Sequence, residues 1–281
     1  MSRWYKEGDA LISQIRSTRL PEDMLAIWFM GQAGIVLKSG ELTIAVDLYL
    51  ENRPGRAVLP PFESQSCAWL FDYVFCSHNH ADHLDSVLIS GIAQAEGNCP
   101  KTRFVVPAPW KDTVASMGAD ASMVTGACHQ EKIQLGEHAC VIPVRAAHES
   151  FSTDGNGNYE CLGFVFDFPG GCVYHSGDTV EWETMTDELR AYPVDIACLP
   201  INGSDWKRKK ADIIGNLNAR EAADVSAAIG ADLLIPLHYD VFPHNGENPA
   251  YLADYLWRSC PERKYHIMAP GERFIYVKDK D

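Results

Sequence analysis

Three histidines and an aspartate fall within six residues, His78-Asn79-His80-Ala81-Asp82-His83. Imidazole nitrogens and carboxylate oxygens are ligands for zinc, manganese or iron. Buried with no partner they would be costly, because a polar group that leaves water and bonds to nothing loses its hydration. The stretch follows an apolar run, Tyr73-Val74-Phe75-Cys76, that reads as a buried strand. Alternation along an extended chain lets His78 and His80 face one way. Asp82 and His83 then come from the turn that follows. The plain alternative is a polar loop that is merely rich in histidine. The position at a strand end, where ligand sites commonly assemble, favours chemistry.

Three more ligand-type residues follow, each behind an apolar run. His148 lies in Val144-Arg145-Ala146-Ala147-His148, Asp178 in Tyr174-His175-Ser176-Gly177-Asp178, and His238 in Ile235-Pro236-Leu237-His238. The H-x-H-x-D-H stretch with these three in this order resembles the signature of the metallo-β-lactamase-fold hydrolases. The resemblance implies an α/β (α+β) fold, a four-layer αββα sandwich of two mixed β-sheets flanked by helices. It implies one or two divalent ions, Zn2+ or Mn2+ ahead of iron. His78, His80 and His148 would hold the first ion. Asp82, His83 and His238 would hold the second, with Asp178 bridging. Such ions acidify water and polarise the substrate oxygen, and Asp82 would also orient the attacking water. Asp47 ends the apolar run Leu42-Thr43-Ile44-Ala45-Val46. The resemblance makes it an outer partner that orients a ligand histidine; a turn or cap aspartate is the alternative.

Phe29-Met30-Gly31-Gln32-Ala33-Gly34-Ile35, Tyr174-His175-Ser176-Gly177-Asp178 and Pro236-Leu237-His238-Tyr239-Asp240 are most similar to the L-ascorbate-6-phosphate lactonase branch. That resemblance runs from about Leu25 to His244. It implies a cytoplasmic, oligomeric hydrolase that opens a small anionic sugar-acid lactone. A phosphodiesterase or another ester or amide hydrolase of the same superfamily is the alternative. Diiron redox proteins of this fold carry a carboxylate where this chain has His80. A metal-binding regulator without catalysis is disfavoured by the complete ligand set.

Four residues are candidates for the substrate side. Asn202 follows a strand-like run and borders the expected site. His244, in Phe242-Pro243-His244-Asn245-Gly246, either reaches the pocket or sits on an exposed turn. Lys207 and Arg208 open the basic run Lys207-Arg208-Lys209-Lys210. Such a run is either a solvated face or, on a cleft loop, an attraction for an anionic substrate. His175 is either beside the site or a packed core histidine. His129, His138 and His266 read as surface or core residues.

The elements that must position these groups read as one domain over residues 1–281, with no repeat and no linker. Hydrophobic content of 46% and charged content of 22% are ordinary for a globular enzyme. The net charge of -14 disfavours nucleic-acid binding, since phosphates need a basic face. It leaves room for a small-molecule substrate and a homo-oligomer. Nine cysteines form no C-x-x-C pair, so reduced thiols in the cytoplasm are expected. Met1-Ser2-Arg3-Trp4-Tyr5-Lys6 leads into no apolar signal region, and no apolar run is long enough to span a membrane. Leu11, Ile12 and Ile15 mark an amphipathic helix before Pro21. Strands are expected at Leu25–Met30, Ile35–Lys38 and Leu42–Asp47, and a Pro- and Arg-rich loop from Tyr49 to Ser66 that could form one wall of the substrate cleft. Helices are expected over Leu84–Ala95, Trp110–Met117, Asn218–Ile229 and Tyr251–Trp257. Later strands are expected at Arg103–Val106, Cys161–Phe168, Asp195–Pro200, Leu233–Ile235, Tyr265–Met268 and Phe274–Val277.

Overall fold

The chain is described by a computed structural model covering residues 3–95 and 102–278. Cys99 and the first two residues of the N-terminal stretch lie outside these. Six strands open the chain: β1 (Met24–Phe29), β2 (Ile35–Ser39), β3 (Leu42–Val46), β4 (Tyr73–Phe75), β5 (Arg103–Pro107) and β6 (Val124–Ala127). They lie side by side in that order. The second sheet is built from β7 (Ile133–Gln134), β8 (Cys140–Arg145), β9 (Leu162–Phe168), β10 (Gly171–His175), β11 (Ile196–Pro200), β12 (Leu233–Leu237) and β13 (Lys264–Tyr265). The last strand, β14 (Arg273–Val277), returns to the first sheet and pairs antiparallel with β1. Both sheets are mixed. β3 to β6 run parallel, as do β10 to β13, while the remaining pairs are antiparallel.

The period of two along each strand sends alternate residues to opposite faces. In β1, Leu25, Ile27 and Phe29 join Phe75, Phe164 and Phe166 in the core between the sheets. Ala26 and Trp28 face outward, against α1 (Gly8–Ser17) and α2 (Ser86–Ala93). α3 (Lys111–Ser116) adds Val114 to that outer layer. The second sheet's outer face packs on α4 (Met185–Leu189), α6 (Ala219–Ala228) and α7 (Ala250–Ser259). Helix, sheet, sheet, helix is the expected four-layer sandwich. Because both faces of each central strand are covered, such strands read as continuous apolar runs.

Several boundaries differ from expectation. β6 was not expected, because Val124-Thr125-Gly126-Ala127 has neither alternation nor β-rich composition; pairing with β5 makes it a strand. The basic run is a short helix, α5 (Trp206–Lys210), rather than a loop. Asp205 caps it, accepting from the Lys207 and Arg208 amides at 2.7 and 3.0 Å. β13 ends at Tyr265 rather than Met268, with pairing to β12 limited to two residues. α6 is capped as expected, with Asn218 and Glu221 forming a reciprocal capping box. The eight cysteines among the described residues are free thiols. No helix among the described residues is long and apolar enough to cross a membrane.

Candidate metal centre

Four strands deliver the candidate ligands at their C-terminal ends. His78 follows β4 of the first sheet, while His148, Asp178 and His238 follow β8, β10 and β12 of the second. The centre therefore sits where the two sheets' ends meet. After His78 the chain turns tightly, and the His80 carbonyl accepts from the His83 and Leu84 amides at 2.9 and 2.7 Å. Asp85 then caps α2 through the Val87 amide at 2.7 Å. Its other oxygen accepts from Glu51 at 2.9 Å and from Leu50, which pins the 49–66 loop beside the turn.

All seven ligand-type side chains come together in three overlapping groups: His78, His80 and His148; His78, His83 and Asp178; Asp82, His83 and His238. His148 Nε2 lies 3.2 Å from His80 Nδ1. Asp178 Oδ2 lies 3.4 Å from His83 Nε2 and 3.3 Å from His238 Nε2. Asp82 Oδ2 lies 3.8 and 3.6 Å from the same two nitrogens. Ligands about 2.1 Å from a tetrahedral ion stand roughly 3.4 Å apart, so this spacing suits ions. His78, His83, His238 and Asp178 are buried, whereas His80, Asp82 and His148 are partly open.

A family model described as the beta-lactamase superfamily domain matches residues 52–239. The chain belongs to that superfamily. A relative from Methanoculleus marisnigri, a UPF0173 metal-dependent hydrolase, is 31% identical over 72% of this chain and 80% of its own length. Another UPF0173 metal-dependent hydrolase, from Desulfitobacterium hafniense, is 26% identical over 89% of this chain and 98% of its own. The novel metallo hydrolase Igni18 of Ignicoccus hospitalis shares the fold, with a TM-score of 0.70, 19% identity, and coverage of 91% of this chain and 100% of that one. The chain is a metal-dependent hydrolase of the metallo-β-lactamase superfamily, within the UPF0173 family.

The centre has the unsatisfied atoms a metal hydrolase needs. His78 Nε2, His83 Nε2 and Asp178 Oδ1 are buried with no hydrogen-bond partner. In both histidines the other ring nitrogen is held by protein. His78 Nδ1 meets Ser77 Oγ at 3.0 Å, and His83 Nδ1 meets Asp47 Oδ2 at 2.7 Å. One nitrogen fixed and the other free is how a protein aims an imidazole at a cation. Asp47 is fully buried and also accepts from the Ser77 amide and hydroxyl, each at 2.7 Å. It holds the left-handed backbone conformation, φ 47°.

The electrostatics divide the cluster. Burial holds the pKa values of His78, His80 and His148 down, that of His148 to about 4. These three stay neutral and ready to donate lone pairs. Burial also opposes a proton on His83 and His238, but Asp178 leads the carboxylates that win. His83 is raised well above its usual value, and His238 to about 10. A cation entering beside these two must displace protons, so its affinity rises with pH.

The structure treats the remaining candidates differently. His175 is buried; Nε2 donates to the Ala33 carbonyl at 2.8 Å and Nδ1 accepts from the Gly177 amide at 3.1 Å. It thus supports the turn bearing Asp178 rather than touching a ligand side chain. In that turn Gly177 has φ +60°, and a Cβ there would stand 2.6 Å from Ser77 Cβ, so glycine alone fits. A cleft of about 370 Å³ opens over His80 and Asp82, and His244 is part of its wall, against the Phe242 ring. Asn202 is buried beneath, bonded to Asn245 and Asn216. Lys207 is exposed and lines no part of this cleft. The Arg208 guanidinium is tied to Asp205, to Asn245 Oδ1 at 3.3 Å and to the Gly246 carbonyl at 2.7 Å, so it braces the loop carrying His244. The basic run was expected on a cleft loop; capping by Asp205 makes it a short helix instead, from which Arg208 reaches the loop that carries His244.

Gln32, Tyr49, Arg53 and Phe242 line the cleft; the 49–66 loop was expected as a cleft wall, but none of these four side chains was singled out from sequence. Gln32 carried one signal, a polar residue in a turn between two buried strands. Asp240 was also missed. Its Oδ1 accepts from the Gln32 amide at 2.8 Å, its Oδ2 has no partner, and burial raises its pKa to about 6. Below pH ~4 this carboxyl is protonated in the folded and unfolded states alike. As pH rises from the unfolded value to the folded value of about 6, the unfolded chain ionises while the fold keeps its proton, and the fold loses stability. Asp240→Asn, which keeps the acceptor for Gln32, is expected to stabilise the metal-free protein by up to about 3 kcal/mol at pH 8. Denaturant unfolding should show the gain shrink towards zero by pH ~4.

Proposed function

We propose that the protein is a lactonase acting on a small anionic sugar-acid lactone. The observation that carries this reading is the composition of the cleft over the metal centre. The candidate ligands His80 and Asp82 share it with Arg53 and His244. Its volume of about 370 Å³ suits a small molecule rather than a polymer. Arg53 is half exposed; its Nε donates to Glu51 at 2.7 Å, and the rest of the guanidinium is left for an anion.

In this reading His78, His80 and His148 would hold one divalent ion and Asp82, His83 and His238 a second, with Asp178 a ligand available to either. Bound there, zinc or manganese would acidify water and polarise the ring carbonyl. Asp82, partly open to the cleft, orients the attacking water. Arg53 fixes the substrate's anionic end, and Phe242 with Tyr49 supplies apolar wall. Water oxygen bonds to the carbonyl carbon, the ring C–O bond breaks, and the released alkoxide takes a proton to give the hydroxy acid. Holding a non-reacting group aligns the carbonyl and turns binding energy into rate.

The test is a panel of lactones, phosphodiesters and thioesters, run on chelated protein and after return of Zn2+ or Mn2+. Turnover of anionic lactones that depends on the ion is expected. Turnover confined to phosphodiesters would replace this substrate class with the alternative. Arg53→Ala should raise KM for a phosphorylated lactone about tenfold, the value of one charge-assisted contact, with little change for its neutral analogue. Equal kinetics on both would remove Arg53 from recognition.

A further inference from the structure

We infer that Gln32 is a positioning residue for one of the two candidate ion sites, the one formed by Asp82, His83 and His238; this rests on the metal-centre reading above. Gln32 sits in the turn between β1 and β2 and is 2% exposed. Its backbone is left-handed, φ 56°. Such a conformation costs a non-glycine residue free energy and persists only where surroundings over-determine it. Here they do. The Gln32 amide donates to Asp240 Oδ1 at 2.8 Å, and its carbonyl accepts from the His238 amide at 2.6 Å. His238 is itself left-handed, φ 62°. The backbone of Gln32 therefore locks the turn that carries one ligand.

The side chain addresses the other. Gln32 Nε2 donates to Asp82 Oδ2 at 2.8 Å and lies 3.2 Å from His238 Nε2. An amide oxygen in that place would repel the carboxylate, so the N–H is the group that faces Asp82. Asp82 needs such a tether. It lies on a turn, its side chain is 23% exposed, and its carboxylate stands 3.6 to 3.8 Å from the neighbouring imidazoles. His83, by contrast, is already fixed by Asp47 at 2.7 Å. A carboxylate oxygen has lone pairs for both a cation and an N–H. With His238 Nε2 donating to an ion, Asp82 remains the natural acceptor for the Gln32 amide. None of Gln32's hydrogen bonds reaches His78, His80 or His148, so the two sites depend on it unequally.

The test is a metal titration of chelated protein, Zn2+ competed against a chromophoric chelator. It uses two single-site backgrounds. His148→Ala leaves the Asp82, His83 and His238 site, and His238→Ala leaves the His78, His80 and His148 site. Gln32→Met keeps the side chain's length without its amide, and Gln32→Gly removes the amide while relaxing the backbone. Both are expected to weaken Zn2+ about tenfold in the His148→Ala background, the lower end for loss of an outer partner, and to leave affinity unchanged in the His238→Ala background. Thermal midpoints of the chelated proteins separate loss of fold from loss of a ligand tether. Equal weakening in both backgrounds, or none in either, overturns the assignment while leaving the metal centre standing. A wild-type protein that takes up no ion removes the metal-centre reading itself, and this assignment with it.

Discussion

Asp178→Ala is expected to abolish hydrolysis and to lower the bound metal well below the wild-type content. Among the described residues, Asp178 is the one carboxylate placed against both halves of the cluster. It groups with His78 and His83, and it stands 3.3 Å from His238 Nε2. It is buried, and one oxygen has no protein partner at all. Without it, two divalent cations would face each other with no shared negative charge between them, in a setting where water screens poorly. Loss of even an outer partner costs metal sites about 10–100-fold, so loss of a shared ligand should exceed about a hundredfold in affinity and activity together. Elemental analysis after gel filtration, with turnover at saturating Zn2+ or Mn2+, measures both. An Asp178→Ala protein that retains the wild-type metal content and normal turnover would exclude the bridging role.

Asp47→Asn should keep the fold and lose most of the function. One Asp47 oxygen accepts from the Ser77 amide; the other faces Ser77 Oγ and His83 Nδ1. Asparagine can keep the first contact, and it tolerates the left-handed backbone at φ 47°. Its amide nitrogen would then oppose His83 Nδ1. An N–H facing that atom forces the imidazole proton onto Nε2, the atom that points into the cluster. A protonated Nε2 has no lone pair for a cation. Imposing the wrong tautomer on a catalytic histidine costs rate by up to about 10⁴, and here a fall of at least about a hundredfold in metal affinity is expected. The measurement pairs a Zn2+ titration with thermal unfolding of the chelated protein. Similar unfolding with weakened binding supports tautomer control. Unchanged binding would show that Asp47 does not orient His83.

The ligand-type residues were legible in sequence because each group of them follows an apolar run within a few residues. Val74-Phe75, Val141 to Val144, Val173-Tyr174 and Leu234-Ile235 are strands buried on both faces, so they read as continuous hydrophobic stretches. A polar residue at the end of such a run is conspicuous. The helices before Pro21 and after Asn218 were equally plain, since amphipathic period and capping chemistry are local. Strand Val124–Ala127 was not, because only its neighbour β5 makes it a strand. The layered architecture came from the resemblance of the ligand pattern to a family, not from periodicity.

The surroundings of the centre were decided by tertiary structure alone. Gln32 and Asp82 are 50 residues apart, and Gln32 and Asp240 are 208 apart. No local spacing rule joins them; the meeting of two sheets' strand ends does. The same holds for Arg53, which a loop pinned by Asp85 presents to the cleft, and for Arg208, whose guanidinium braces the loop that carries His244. Residue type and local order determined which atoms could bind a metal in this chain. Which cation meets a substrate, and which amide steadies a ligand, follows from how distant segments pack, because a contact's energy depends on the partner that packing supplies.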